Sequence, residues 1–127
     1  MEKQKLKFWD KKMSKKVALI TGSNRGIGAE IARNLSADFD IIINYFHLET
    51  IAKNLESEIK NNGNNAYAIK ADVTEEKDVK RLVELASRKF GKIDALVHNA
   101  CPPISYKSFE SLLWNDFQNQ LDVSVKG

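Results

Sequence analysis

Short apolar runs alternate with segments of helical period along this chain, and that alternation leaves few folds open. Val17-Ala18-Leu19-Ile20-Thr21 is apolar and β-branched with no polar residue interleaved, as a strand buried on both faces must be. From Gly26 the period changes, and Ile27, Ile31 and Leu35 recur on one helical face. Ile41 to Phe46 repeats the strand signal; Ile51, Leu55 and Ile59 then mark a second helix, stopped by Asn61-Asn62-Gly63. A third strand over Ala66 to Ala71 precedes a third helix with Val79, Leu82, Val83, Ala86 and Phe90. Glu75, Glu76 and Asp78 stand at that helix's start, against the positive end of its dipole. Asp94 to His98 supplies a fourth strand, and Leu113, Phe117, Leu121 and Val125 predict a fourth helix from about Ser108 to the last residues. The expected fold is α/β, a Rossmann-like doubly wound parallel sheet with right-handed crossovers. Its strands would take the order 3-2-1-4, an incomplete version of the six-stranded pattern, with ligands bound where the order reverses, between strands 1 and 4.

Composition narrows the function. The 127 residues are 43% hydrophobic and 29% charged, which suits one small globular domain and not a disordered tail. The net charge of +3 does not mark a nucleic-acid partner, because seven lysines lie between Met1 and Lys16 and the remainder is not basic. Residues 1–15 read as a basic, disordered leader, with Met13 as an alternative translation start, and 16–127 as the amino-terminal half of a dinucleotide-binding domain. No run nears the roughly 18 apolar residues of a membrane span, and no apolar secretory segment follows the lysines, so a cytoplasmic protein is expected. Cys101 is the single cysteine and allows neither an internal disulfide nor a cysteine-built metal site. His47 and His98 lack spaced acidic or cysteine partners, so no metal is expected and both are assigned ordinary polar roles. Phe109, Trp114 and Phe117 read as core or subunit-interface residues.

The segment Thr21-Gly22-Ser23-Asn24-Arg25-Gly26-Ile27-Gly28 joins the first strand to the first helix. At a helix amino terminus, free N–H groups and the helix dipole favour an anion such as a pyrophosphate. Gly22 would permit the tight turn, Gly26 the approach of a ligand to the backbone, and Gly28 close packing of helix on sheet. The spacing is GxxxGxG rather than GxGxxG, and the absence of Gly-Lys-Ser/Thr excludes a Walker phosphate loop. NAD sites commonly place a carboxylate at the end of the second strand for the adenosine 2′-hydroxyl. Here Asn44-Tyr45-Phe46-His47 offers none, and Arg25 stands ready for a 2′-phosphate, so NADP(H) is the expected cofactor.

That glycine turn, Asp72-Val73-Thr74 after the third strand and Asn99-Ala100 after the fourth resemble the ordered landmarks of the short-chain dehydrogenase/reductase family, over Lys16 to Gly127. The likeness is closest to its 3-oxoacyl-carrier-protein reductase group. It implies hydride transfer between NADP(H) and a carbonyl or alcohol, on a small-molecule carbonyl or an acyl-carrier-linked ketone, in a homo-oligomer. By the same resemblance Gly22, Ser23, Asn24, Arg25 and Ile27 contact the cofactor's phosphates and ribose, Asp72 and Val73 the adenine, and Asn99 and Ala100 the ribose nearer the nicotinamide.

Two departures from the family pattern stand out. Asn99-Ala100 is followed by Cys101 where the family has glycine, and Ser124 stands where the family's helix asparagine would be. The catalytic Tyr-x-x-x-Lys is not among these residues: Tyr45, Tyr67 and Tyr106 are followed four places on by Glu49, Ala71 and Glu110. No catalytic residue is therefore assigned, and the chain is expected to be the inactive cofactor half of a longer domain. The rival expectations are a non-catalytic nucleotide-binding fragment, whether a degenerate gene product or the partner of a separate half, and, more remotely, a Rossmann-like methyltransferase.

Overall fold

The computed structural model describes residues 15–104 and 106–127. Residues 1–14 of the expected leader lie outside the described residues; Lys15 anchors the start of the fold, its Nζ donating to Ser36 O at 3.2 Å and Asn64 Oδ1 at 2.9 Å. The chain then runs β1 (Lys16–Ile20), α1 (Gly26–Leu35), β2 (Phe39–Tyr45), α2 (Glu49–Asn61), β3 (Ala66–Lys70), α3 (Glu76–Phe90) and β4 (Ala95–Val97). A 3-10 turn (Phe109–Ser111), helix α4 (Trp114–Leu121) and a π-helical turn (Asp122–Lys126) follow. The four strands form one sheet in the order β3-β2-β1-β4, and every pairing is parallel, the arrangement expected from the β-α alternation.

Alternating side chains of the strands feed two separate cores, which is why the strand sequences carry no polar face. Ala18, Ile20, Ile41, Ile43 and Ala68 pack against Ala29 and Ala32 of α1 and Ala52, Leu55 and Ile59 of α2. On the other face Val17, Leu19, Ile42 and Ile69 pack against Leu82 and Ala86 of α3. The parallel register sets Ile20 beside both Ile43 and Val97, so β1 and β4 end level while β2 and β3 run on together to Tyr45 and Lys70, and the loops that leave all four open on the same end of the sheet.

Strand boundaries shift where side chains take over the pairing. β4 is shorter than Asp94–His98 because Asp94 Oδ2 accepts the Val17 N–H at 2.7 Å and His98 turns to the Thr21 hydroxyl. β2 starts two residues earlier than expected, Phe39 being in register with Lys16. The fourth helix is corrected more substantially. Leu112 and Leu113 are extended, and α4 begins only at Trp114, where Asp116 Oδ2 accepts the Leu113 N–H at 2.9 Å. Nor do Phe109, Trp114 and Phe117 join either core; they are exposed, with Leu113 and Val125.

Edge strand β3 is guarded by a buried carboxylate. Glu56 of α2 accepts the Ala68 N–H at 2.6 Å and is paired with Lys60 and Lys53. Burial by itself would push this carboxyl up, but the two lysines and the amide outweigh it and hold it below the ordinary glutamate value. Glu56→Ala should cost about 1.5–3 kcal/mol in a denaturant melt, since the Ala68 N–H loses a charged acceptor. The depressed value also fixes the pH sign. The contribution is fully present above the ordinary glutamate range and lost on acidification below about pH 4, so the acid limb of the stability profile should flatten in Glu56→Gln.

Candidate functional site

The carboxyl ends of β1, β2, β3 and β4 open on a cleft of about 1010 Å³, walled by the glycine turn, Phe46 to Leu48, Ala71 to Glu75, Asn99 to Pro103 and part of the last helical segment. Gly22 adopts φ +59° and lies so close to the β4 loop that an added Cβ would stand 2.9 Å from Ala100 Cα. Gly26 adopts φ +57° with open space where a Cβ would be, which leaves its backbone accessible. Gly28 packs closely, as expected, but its neighbours differ: a Cβ there would meet Asn99 Nδ2 at 2.5 Å, Gly22 O at 2.8 Å and Ser23 Cα at 2.8 Å. At Gly28 the helix therefore packs on the turn and on Asn99, while Ala29 and Ala32 meet β1.

The polar residues divide into those that hold the cradle and those that face it. Ser23 is fully buried, its Oγ donating to Ile20 O at 2.7 Å and its N–H to Asn44 O at 2.9 Å. Asn24 Nδ2 donates to His47 O at 3.0 Å, fastening the loop after β2 to the glycine turn. Asn99 Nδ2 donates to both Thr21 O and Gly22 O at 3.0 Å. Asp72 Oδ1 accepts from the Thr74 N–H at 2.9 Å and hydroxyl at 2.7 Å, and Asp72 N–H donates to Asp78 Oδ2 at 2.8 Å. That backbone donor, followed by Arg81, holds the Asp78 carboxyl below its ordinary value. Val73, Ala100 and Ile27 line the cleft, and Ile27 is 76% exposed.

What faces the cleft suits an anion. Arg25 occupies the N-cap position of α1 without a side-chain cap, and the first-turn amides of Gly26, Ile27 and Gly28 have no hydrogen-bond acceptor among the described residues. The Arg25 guanidinium is exposed and makes no ion pair among the described residues. The cleft, the free amides and the cation together fit the pyrophosphate and phosphate of a dinucleotide. No group of three or more His, Cys, Asp or Glu side chains that could hold a metal lies among the described residues. No helix among them is long and apolar enough to cross a membrane.

Two residues were not singled out from the sequence. Asn44, on β2 and 2% exposed, accepts the Gly22 N–H at Oδ1 (3.1 Å) and donates from Nδ2 to Ala71 O (3.1 Å), so one side chain ties the ends of β1, β2 and β3. An asparagine inside an otherwise apolar strand was the available signal. Leu48, at the cleft wall, adopts φ 59° and ψ 56°, a left-handed conformation that costs a non-glycine residue about 1–2 kcal/mol and that nothing in the sequence marks.

The model of the short chain dehydrogenase family matches residues 16–127. The chain belongs to that family. A hydroxynaphthalene reductase-like protein of Metarhizium brunneum is 36% identical over 112 residues, which are 87% of this chain and 42% of that protein. A short chain dehydrogenase from Burkholderia cenocepacia, solved in complex with NADP, superposes with a TM-score of 0.79 at 37% identity, covering 87% of this chain and 45% of that one. A blue fluorescent protein from a metagenomic library, solved with NADPH, gives 0.78 at 34% identity and covers 87% and 46%. The chain thus spans less than half the length of these relatives.

The geometry makes two substitutions informative. Asn44→Leu should cost on the order of 1–3 kcal/mol for each of the two groups it strands, Gly22 N–H and Ala71 O, as read from a thermal or denaturant melt. Gly28→Val should cost about 1–3 kcal/mol and weaken nucleotide binding as well, because the wedge acts on the turn that forms the cradle; an unchanged melt and affinity would show the packing argument wrong.

Proposed function

We propose that this chain is the cofactor-binding portion of an NADP(H)-dependent oxidoreductase that interconverts a carbonyl compound and an alcohol. The observation that carries the reading is the uncapped amino terminus of α1, opening on the cleft beside Arg25 while the end of β2 brings no carboxylate. Gly22, Ser23, Asn24, Gly26, Ile27 and Gly28 form the pyrophosphate and ribose cradle. Within it the amides of Gly26 and Ile27 donate, while Ser23 and Asn24 fix the shape. Arg25 pairs with the 2′-phosphate, Asp72 and Val73 hold the adenine, and Asn99 and Ala100 set the floor under the ribose nearer the nicotinamide. When bound, NADP(H) supplies the hydride. Two of the similar solved proteins hold NADP or NADPH, which supports the cofactor choice.

The substrate is a small ketone or an acyl-carrier-linked one, as in the 3-oxoacyl-carrier-protein reductase group that the landmarks resemble. The proton donor paired with the hydride is a Tyr-x-x-x-Lys in the family and is not among these 127 residues, so this chain's residues bind and orient. We place the protein in the cytoplasm as a homo-oligomer, with the exposed apolar side chains of α4 as contact residues.

The protein should bind NADPH more tightly than NADH in a fluorescence titration. Removing the charge partner with Arg25→Ala should reduce that preference by about 10- to 150-fold, the equivalent of a lost charged hydrogen bond of about 1.5–3 kcal/mol. Equal affinities of the unaltered protein for the two cofactors would overturn the assignment.

A further inference from the structure

We propose that His98 is a positioning residue for the nucleotide cradle and makes that cradle sensitive to acid. Thr21 Oγ1 accepts the N–H groups of Asn99 and Ala100, both at 3.0 Å, and lies 3.3 Å from His98 Nδ1. A hydroxyl has one hydrogen and two lone pairs. The two amides take both lone pairs, so the third bond runs from the Thr21 hydroxyl to an unprotonated Nδ1. The neutral ring's own hydrogen is then on Nε2. An imidazolium carries hydrogen on both nitrogens and would present a third donor to an oxygen with no lone pair left.

Protonation thus turns the ring from an acceptor into a rival of the two amides. If the ring swings away, the Thr21 hydroxyl loses the acceptor that aims it; if the ring stays, one amide is displaced. Both routes loosen the β4 loop from the glycine turn. That loop supports the cradle directly, since Ala100 backs Gly22 and Asn99 Nδ2 bonds Thr21 O and Gly22 O. His98 is exposed, so protons reach it without a structural change. Its charged surroundings are sparse. The strand paired with β4 is β1, whose charged residue Lys16 lies at the far end; Lys92 and Asp94 flank the opposite end of β4, and the glycine turn brings Arg25. Among the described residues the ring's only hydrogen-bond partner is Thr21.

The binding consequence rests on the function proposed above, whereas the hydrogen-bond consequence does not, and one experiment reads both. On the ¹⁵N-labelled protein, the His98 tautomer and the exchange protection of the Asn99 and Ala100 amides are followed by NMR between about pH 5.5 and 7.5. Affinity for 2′,5′-ADP is measured by calorimetry under the same conditions, with His98→Asn as the reference. The ligand's phosphate ionisation, near pH 6, is common to both proteins and drops out of the comparison. Neutral His98 is expected as the Nε2–H tautomer. On acidification, protection at both amides and affinity should fall about 3- to 10-fold further in the unaltered protein than in His98→Asn. Thr21→Val, which lacks the shared oxygen, should behave at every pH like the acidified protein. An Nδ1–H tautomer at neutral pH, or the same pH response in the unaltered protein and His98→Asn, would overturn the proposal. Absence of any nucleotide binding would overturn the proposed function instead, leaving the tautomer and exchange data to decide the role of His98.

Discussion

β1 is flanked by strands on both edges and covered on both faces, so the polar groups where it ends are half-buried at the cleft and have restricted access to water. Each must find a partner in the protein, because an unmade hydrogen bond in such a place costs more than a made one contributes. Three side chains meet the requirement. Asn44 reaches in from β2 to take the Gly22 N–H, Thr21 takes two amides of the β4 loop, and Asn99 covers the carbonyls of Thr21 and Gly22. Among the described residues no buried side-chain nitrogen or oxygen is left without a partner. The glycine turn is held from both sides, and its position then fixes where α1 begins.

This fixation divides the labour among the cradle residues. Ser23, Asn24 and Asn99 turn hydrogen-bonding groups into the protein and so determine shape, whereas the first-turn amides of α1 and the Arg25 guanidinium are left toward the cleft. A rigid set of outward donors surrounded by satisfied inward ones is the arrangement that binds an anion without reorganising. Carboxylates play a comparable part farther out. Asp94 holds the Val17 N–H at the start of β1, and that bond, ahead of the nearby lysines, keeps its carboxyl below the ordinary value. Asp78 does the same for the backbone of Asp72 at the cleft wall.

Much of this was legible in the sequence because it depends on periodicity and on backbone geometry. Continuous apolar strands at Val17 and Ile41 require two covered faces, the spacing of Ile27, Ile31 and Leu35 requires a helix, and glycine at positions 22 and 26 meets the demand for positive φ. Least was legible at the far end of the chain. There the spacing of Leu113, Phe117, Leu121 and Val125 is helical, but neither the extended stretch at Leu112 and Leu113 nor the exposure of these side chains follows from spacing. Periodicity says which side chains share a face and is silent on what lies opposite.

The sequence by itself determined the α/β class, the order of strands and helices, and the location of the glycine turn. All of these follow from interactions between residues near one another along the chain. The tertiary structure alone decided which polar groups of that turn remain free. Whether Asn24 faces a ligand or His47 O, whether Gly28 packs on β1 or on Asn99, and whether His98 is a bystander or the acceptor of the Thr21 proton depend on residues brought together across 23, 71 and 77 positions of chain. Hydrogen bonds are short and directional, and a sequence lists donors and acceptors without saying which of them meet.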